Sequence, residues 1–293
     1  GSMPSSDPAL IYLTPVRNEA WILERFLRCA RLWADHIVVV DHCSTDGSRE
    51  WLLAEAERDS RLRVIGGAQN LGPALRLNEG VQAARAPWLH LIDGDDLARP
   101  GVQTAMLRAL EEARLPLLYG RRREASAPAG LNRPLPVTRI TAPLAFCAGR
   151  PVTHMALMVR RDLFLNAGGA DPRVFIQDQS LPLRLSARCE AMLWTEETVC
   201  LAPPSSSDRL STNLGQQNHD RCLAAINLLD DALPLPVDGE RAVRALPVSA
   251  LFKLEREARN HRTGTALAYA AAKLGHPPSP GWLRRHRTFL AAQ

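Results

Sequence analysis

Only two lysines, Lys253 and Lys273, stand beside 34 arginines in this chain of 293 residues. We read that imbalance as genomic composition and not as a functional signal. No apolar run reaches the 18 or more residues that a membrane-spanning helix needs. No signal peptide is recognisable, and Gly1-Ser2-Met3 looks like a cloning remnant. The six cysteines (29, 43, 147, 189, 200, 222) form no C-x-x-C pair, which argues against a zinc site and for a reducing compartment. A cytoplasmic location is therefore expected. No period of 20 to 50 residues recurs, so a repeat array is excluded. No nucleic-acid-binding motif is present, and nucleic acid is not expected as a partner.

What is present is 46% hydrophobic residues, enough for one large domain or somewhat more. The net charge of +5 is unevenly spread. Residues 1–100 carry 11 Arg against 14 Asp and Glu, residues 101–240 carry 15 of each sign, and residues 241–293 carry 10 Lys and Arg against Glu255 and Glu257. The basic tail favours an anionic partner, such as a membrane surface or an acidic carrier. A solvated helical face explains it equally.

The first 120 residues alternate strand and helix. Strands are expected over 10–16, 36–41, 62–65, 88–92 and 115–119, with helices over 20–34, 48–58, 72–84 and 101–113. Such β-α units build a mainly parallel sheet covered on both faces. Residues 121–150, rich in Arg, Pro and Ala, read as an irregular excursion. A strand over 152–159, a short helix over 162–167, a helix over 176–188 and an extended run over 191–201 follow. Beyond about 214 the chain reads as helical, broken near Pro234-Pro236 and Pro277-Pro280.

Four expected strands end in polar residues. They are Thr14 to Glu19, Asp41 to Ser48, Asn70 with Gly72, Arg76 and Asn78, and Asp93-Gly94-Asp95-Asp96. In an open α/β sheet these ends share one crevice. Three carboxylates within four residues repel one another, and a hard divalent cation removes that cost. An ordinary Asp-Gly turn is the plainer reading.

These segments resemble the family 2 glycosyltransferases, which have the GT-A fold. The family pattern is P-x-[YR]-N-E, then V-V-D-D-x-S-x-D-G-[ST], then N-x-G-x-x-x-A-R-N, then a D-x-D-D element. The matches are Pro15 to Glu19, Val39 to Ser48, Asn70 to Asn78 and Asp93 to Asp96. Met158 to Arg161, Gly168-Gly169, Gln177-Asp178 and Leu183 to Leu185 continue the series.

The resemblance implies an α/β GT-A core that binds a nucleoside diphosphate sugar. Asp41 would accept a hydrogen bond from the base, while Pro15, Arg17 and Glu19 frame base and ribose. Asp93 would contact ribose or metal. Asp95, with Asp96, would hold Mn²⁺ or Mg²⁺ against the diphosphate. Asp178 would be the base for an inverting single displacement; it also reads as a helix cap. Uridine diphosphate is preferred as the commonest donor nucleotide in the family. A glycan, lipid-linked or other cell-surface polysaccharide acceptor is expected.

Three departures stand out. His42 replaces the second Asp, Gln177 replaces the Glu before the base, and Arg76 is shifted by one from the family Arg, which puts its phosphate role in question. His154 and Gln177 are further candidate contacts. Asn18 and Asn70 also suit helix capping, and Asp46 with Ser48 is best read that way. The expected organisation is a nucleotide-sugar half over 4–120, an acceptor half over 121–213 and a basic helical extension over 214–293. That extension suits a peripheral membrane contact, packing on the catalytic domain, or a homodimer contact. A sugar-phosphate nucleotidyltransferase and an inactive GT-A binding or scaffold protein are the rival readings.

Overall fold

The computed structural model describes residues 9–13, 20–92, 96–124, 129–149, 152, 155–202, 214–231 and 234–291. The first part runs β1 (Ala9–Leu13), α1 (Ala20–Ala30), β2 (Ile37–His42), α2 (Ser48–Arg58), β3 (Leu62–Gly67), α3 (Pro73–Ala83), β4 (Trp88–Ile92), β5 (Leu97–Ala98) and α4 (Val102–Ala113). Then come β6 (Leu117–Glu124), β7 (Thr138–Ile140), α5 (Pro143–Gly149), β8 (Leu157–Arg160), α6 (Arg161–Asn166), α7 (Gln177–Ser186) and β9 (Met192–Ala202). Four helices finish the chain: α8 (Leu214–Asp231), α9 (Val237–Glu257), α10 (Thr263–Lys273) and α11 (Pro280–Ala291).

The sheet order is β3-β2-β1-β4-β8-β6-β9-β5, with β7 on β9. The run from β3 to β4 is parallel throughout, β6 with β9 is parallel, and β8 enters antiparallel between β4 and β6. Six consecutive residues of β2 are buried, as an interior strand covered on both faces requires. Leu23, Phe26, Leu27 and Ala30 bury the apolar stripe of α1. Pro73 starts α3, where its missing N–H costs nothing.

The chain folds as two compact units. One comprises Gly1–Arg139, His154–Pro172 and Met192–Ser205; the other comprises Ile140–Thr153, Arg173–Ala191 and Ser206–Gln293. In the second, α8 and α9 pack on each other, and Cys222, Ile226, Ala250 and Leu251 share a core with Leu283 of α11. An added Cβ at Gly239 would lie 2.8 Å from Leu144, so a glycine lets α9 approach α5. Among the described residues, no helix is long and apolar enough to cross a membrane.

The described residues of the 121–149 stretch hold more regular structure than their composition suggests. β6 runs on through Arg121–Arg123, and β7 and α5 follow. The arginines stay in the strand because Arg121 pairs with Glu196 and Arg122 with Asp96. The strand expected over 152–159 is shorter, beginning at Leu157. A further break, between α9 and α10, has neither Gly nor Pro. Arg259 turns the chain at φ +52°. Buried Glu255 accepts the Arg262 N–H at 3.2 Å and the Thr265 hydroxyl at 2.8 Å, which fixes the next helix.

His90, midway along β4, is fully buried, and neither ring nitrogen has a hydrogen-bond partner among the described residues. Its ring lies 6.1 Å from that of Trp33. Burial pushes the imidazole down from 6.5 to about 3. The unfolded chain therefore binds a proton that the folded chain refuses, and stability falls as pH drops from 6.5 toward about 3. His90→Phe should flatten this limb in urea unfolding measured across pH. An unchanged limb would assign the acid sensitivity to other groups.

Candidate functional site

Asp41 lies near the end of β2 and is completely buried. Neither carboxylate oxygen has a hydrogen-bond partner among the described residues. Polar atoms taken out of water are almost always paired, because an unmade hydrogen bond carries the full cost of desolvation. Its neighbour in register on β3 is Gly66, at φ +106°. A Cβ there would sit 2.0 Å from the Asp41 carbonyl oxygen, so only glycine allows this pairing. His42 is also buried, and its Nε2 lies 3.1 Å from Asn70 Oδ1. Asn70 Oδ1 accepts the Gly72 N–H as well, an Asx turn leading into α3. Asp46 Oδ1 accepts the Ser48 N–H at 3.0 Å and so serves the start of α2.

Arg76 is buried on α3, and its guanidinium is directed at the loop that follows β3. It donates to the carbonyl oxygens of Gly67 and Gln69 and pairs with Glu79 at 2.9 Å. Arg76 thus holds the 67–69 backbone beside the Asp41 end of the sheet. Arg49, which falls outside the assigned motif roles, reaches the same turn: a Cβ at Gly67 would be 3.1 Å from its Nη1. Asn78, the last residue of the third motif, bonds the Ala170 backbone twice, at 2.9 and 3.0 Å. Gly169, at φ +67°, leaves room for it; an added Cβ would meet Asn78 Oδ1 at 2.6 Å. Two motifs about 90 residues apart therefore form one structural joint.

Of the acidic cluster, Asp93 and Asp95 lie outside the described residues, as do Pro15, Arg17, Glu19 and His154. Asp96 is buried, and both of its oxygens accept from Arg122, at 2.7 and 2.8 Å. Cys200 Sγ also approaches Asp96 Oδ2 at 3.8 Å. Arg122 thus neutralises the buried Asp96 carboxylate. Among the described residues no group of three His, Cys, Asp or Glu is arranged to hold a metal ion.

In the second compact unit, Asp178 stands in the first turn of α7. It lines a cavity of about 250 Å³ with Gln179, Pro182, Leu183, Arg221, Leu246, Cys147 and Val152. The entry to α7 is fixed from α8. Asp220, buried there, accepts the Ile176 N–H at 2.7 Å and is held by Gln216 and His219 at 2.8 and 2.9 Å. The Gln177 amide donates to the Val174 carbonyl at 2.6 Å. Asp220 and Arg221 belong to no recognisable motif. Their signal in the sequence is only an Asp-Arg step in a helix that otherwise reads as packing.

The Arg122–Asp96 pair has a measurable consequence. Arg122→Met strands a buried carboxylate and should destabilise the fold by about 3 kcal/mol in urea unfolding. Adding Asp96→Asn should recover most of that. Equal loss in the single and double variants would show that packing, not charge, carries the effect.

A profile of glycosyl transferase family 2 matches residues 12–163, just over half of the chain. The succinoglycan biosynthesis proteins ExoO and ExoU of Rhizobium meliloti are 38% identical over 77 residues and 34% identical over 68 residues. These stretches cover 26% and 23% of this chain but only 22% and 20% of those proteins, so the match spans about a fifth of the curated relatives' length. Staphylococcus aureus TarS 1–349, solved with UDP-GlcNAc, superposes at a TM-score of 0.65 with 14% identity, over 91% of this chain and 79% of that one. The mannosyltransferase PcManGT of Pyrobaculum calidifontis, solved with GDP-Man and Mn²⁺, gives 0.60 with 17% identity, over 97% and 84%. At these identities the likeness establishes the fold, which is the expected GT-A architecture. With the family profile running from β1 through β8 on that fold, the chain belongs to glycosyl transferase family 2.

Proposed function

We propose that this chain transfers a sugar from a nucleoside diphosphate donor to an acceptor hydroxyl, with Asp41 reading the base and Asp178 accepting the proton. The observation that carries this is the buried Asp41 carboxylate, unpartnered among the described residues at the end of a parallel strand. A base with an imide N–H supplies the missing donor, and uracil is such a base. That TarS is solved with UDP and UDP-GlcNAc supports a UDP-sugar. Pro15, Arg17 and Glu19 frame base and ribose, while Arg76 acts through the loop it holds.

Asp178 takes the proton from the acceptor hydroxyl. The oxygen then forms a bond to the anomeric carbon on the face opposite the diphosphate. The bond from that carbon to the diphosphate oxygen breaks, and the nucleoside diphosphate leaves with its electron pair. A single displacement of this kind inverts the anomeric centre. Mn²⁺ or Mg²⁺, held by Asp93 and Asp95, would neutralise charge on the leaving group. The acceptor is a glycan or lipid-linked glycan. The tail with its excess of basic residues exposes Leu267 and Leu274, which suits contact with an anionic membrane surface.

Calorimetric titration of UDP with Mn²⁺ should show binding that Asp41→Ala weakens by about tenfold or more, as loss of a charge-assisted hydrogen bond implies. Asp178→Asn should leave that binding intact and lower kcat by ~10² to 10⁴. Failure of UDP and GDP to bind the folded protein would favour the scaffold reading. In co-sedimentation, anionic vesicles should retain the wild type better than Leu267→Ser/Leu274→Ser; equal recovery would remove the membrane contact.

A further inference from the structure

The cavity beside Asp178 contains a cation that lacks a carboxylate partner among the described residues. Arg221, on α8, is half-buried among Cys147, Val152, Pro182, Leu183 and Leu246. Its Nε donates to Gln179 Oε1 at 3.0 Å, and Gln179 is itself buried on α7. That bond fixes the plane of the guanidinium and leaves both terminal nitrogens for another acceptor. Desolvation lowers the pKa of Arg221, so the charge is held at a cost that an anion would relieve. This contrasts with Arg31, Arg99, Arg122, Arg133 and Arg173, each of which has a carboxylate partner. An arginine anchored through Nε, with its outer edge open to a cavity, presents the fork that a carboxylate or phosphate takes in two parallel hydrogen bonds.

We propose that Arg221 selects an acceptor that carries an anionic group, a carboxylate or a phosphate, close to its reacting hydroxyl. The inference rests on the reading of Asp178 as the base, because the two side chains line one cavity. The apolar wall from Val152, Pro182, Leu183 and Leu246 suits the carbon face of a sugar or polyol. Arg221 is then a specificity residue that touches the acceptor and takes no part in the proton transfer.

The test uses matched probes on the full chain with UDP and Mn²⁺ present. Methyl β-glucuronide is compared with methyl β-glucoside, and glycerol phosphate with glycerol, by calorimetry. At least one anionic probe should bind about tenfold or more tightly than its neutral counterpart, as a bidentate charge-assisted contact implies. Arg221→Gln should erase that preference and leave UDP affinity unchanged, and Arg221→Lys should keep part of it. A glucuronide preference assigns a uronic acid acceptor, and a glycerol phosphate preference assigns a phosphate-bearing one. Equal binding within each pair, no binding of either anionic probe, or a preference that survives in folded Arg221→Gln would overturn the proposal. UDP affinity, read in the same experiment, reports separately on the donor reading. Its loss with the anion preference intact would remove the transferase mechanism and keep the anion site.

Discussion

A carboxylate at the end of a fully buried parallel strand is the constraint around which the first compact unit is built. β2 lies between β1 and β3, and six of its residues are shielded from water, Asp41 included. An ionised carboxylate there costs several kcal/mol unless it is met by donors. Among the described residues, the surroundings preserve that position without satisfying it. Gly66 keeps β3 in register at a spacing that a Cβ would forbid. His42 turns to Asn70, and Arg76 fastens the following loop, yet neither donates to Asp41. A polar atom held unpaired by several independent restraints is what a binding site for a hydrogen-bond donor requires.

Arginine chemistry recurs where charge is buried. The fork of Arg122 covers both oxygens of Asp96, a geometry that a lysine point charge cannot reproduce. Arg76 bridges two carbonyl oxygens and a carboxylate from within α3. Whatever set the scarcity of lysine in this sequence, the fold uses the planar donor array at these positions.

The β-α succession was legible because β2 and β4 are apolar runs closed by turn residues, and the helices between them carry ordinary periodicity. Residues 121–124 were not, because a run of three arginines reads as solvated loop. Their strand character depends on Glu196 and Asp96, which are distant in sequence. The same distance hid the partner of Asp96. Local spacing could not show that Arg122, 26 residues on, pairs with it. The break between α9 and α10 escaped because Arg259 adopts a left-handed turn usually marked by Gly or Asn. Asp41 and Asp178 stood in recognisable motifs. Asp220 and Arg221 did not, since their meaning comes from the packing of α8 on α7.

The departure at position 177 acquires a physical reason once Arg221 is considered. Gln177 is buried and donates its amide N–H to the Val174 carbonyl. An ionised Glu at this position has no proton to donate and would set a second negative charge one residue from Asp178. It would repel an anionic acceptor entering the neighbouring cavity and offset the attraction of Arg221. A neutral amide removes both conflicts: it satisfies the turn into α7 and adds no charge beside Asp178, which lines the cavity. The departure from the family pattern beside Asp178, the proposed base, is thus consistent with a transferase whose acceptor is negatively charged.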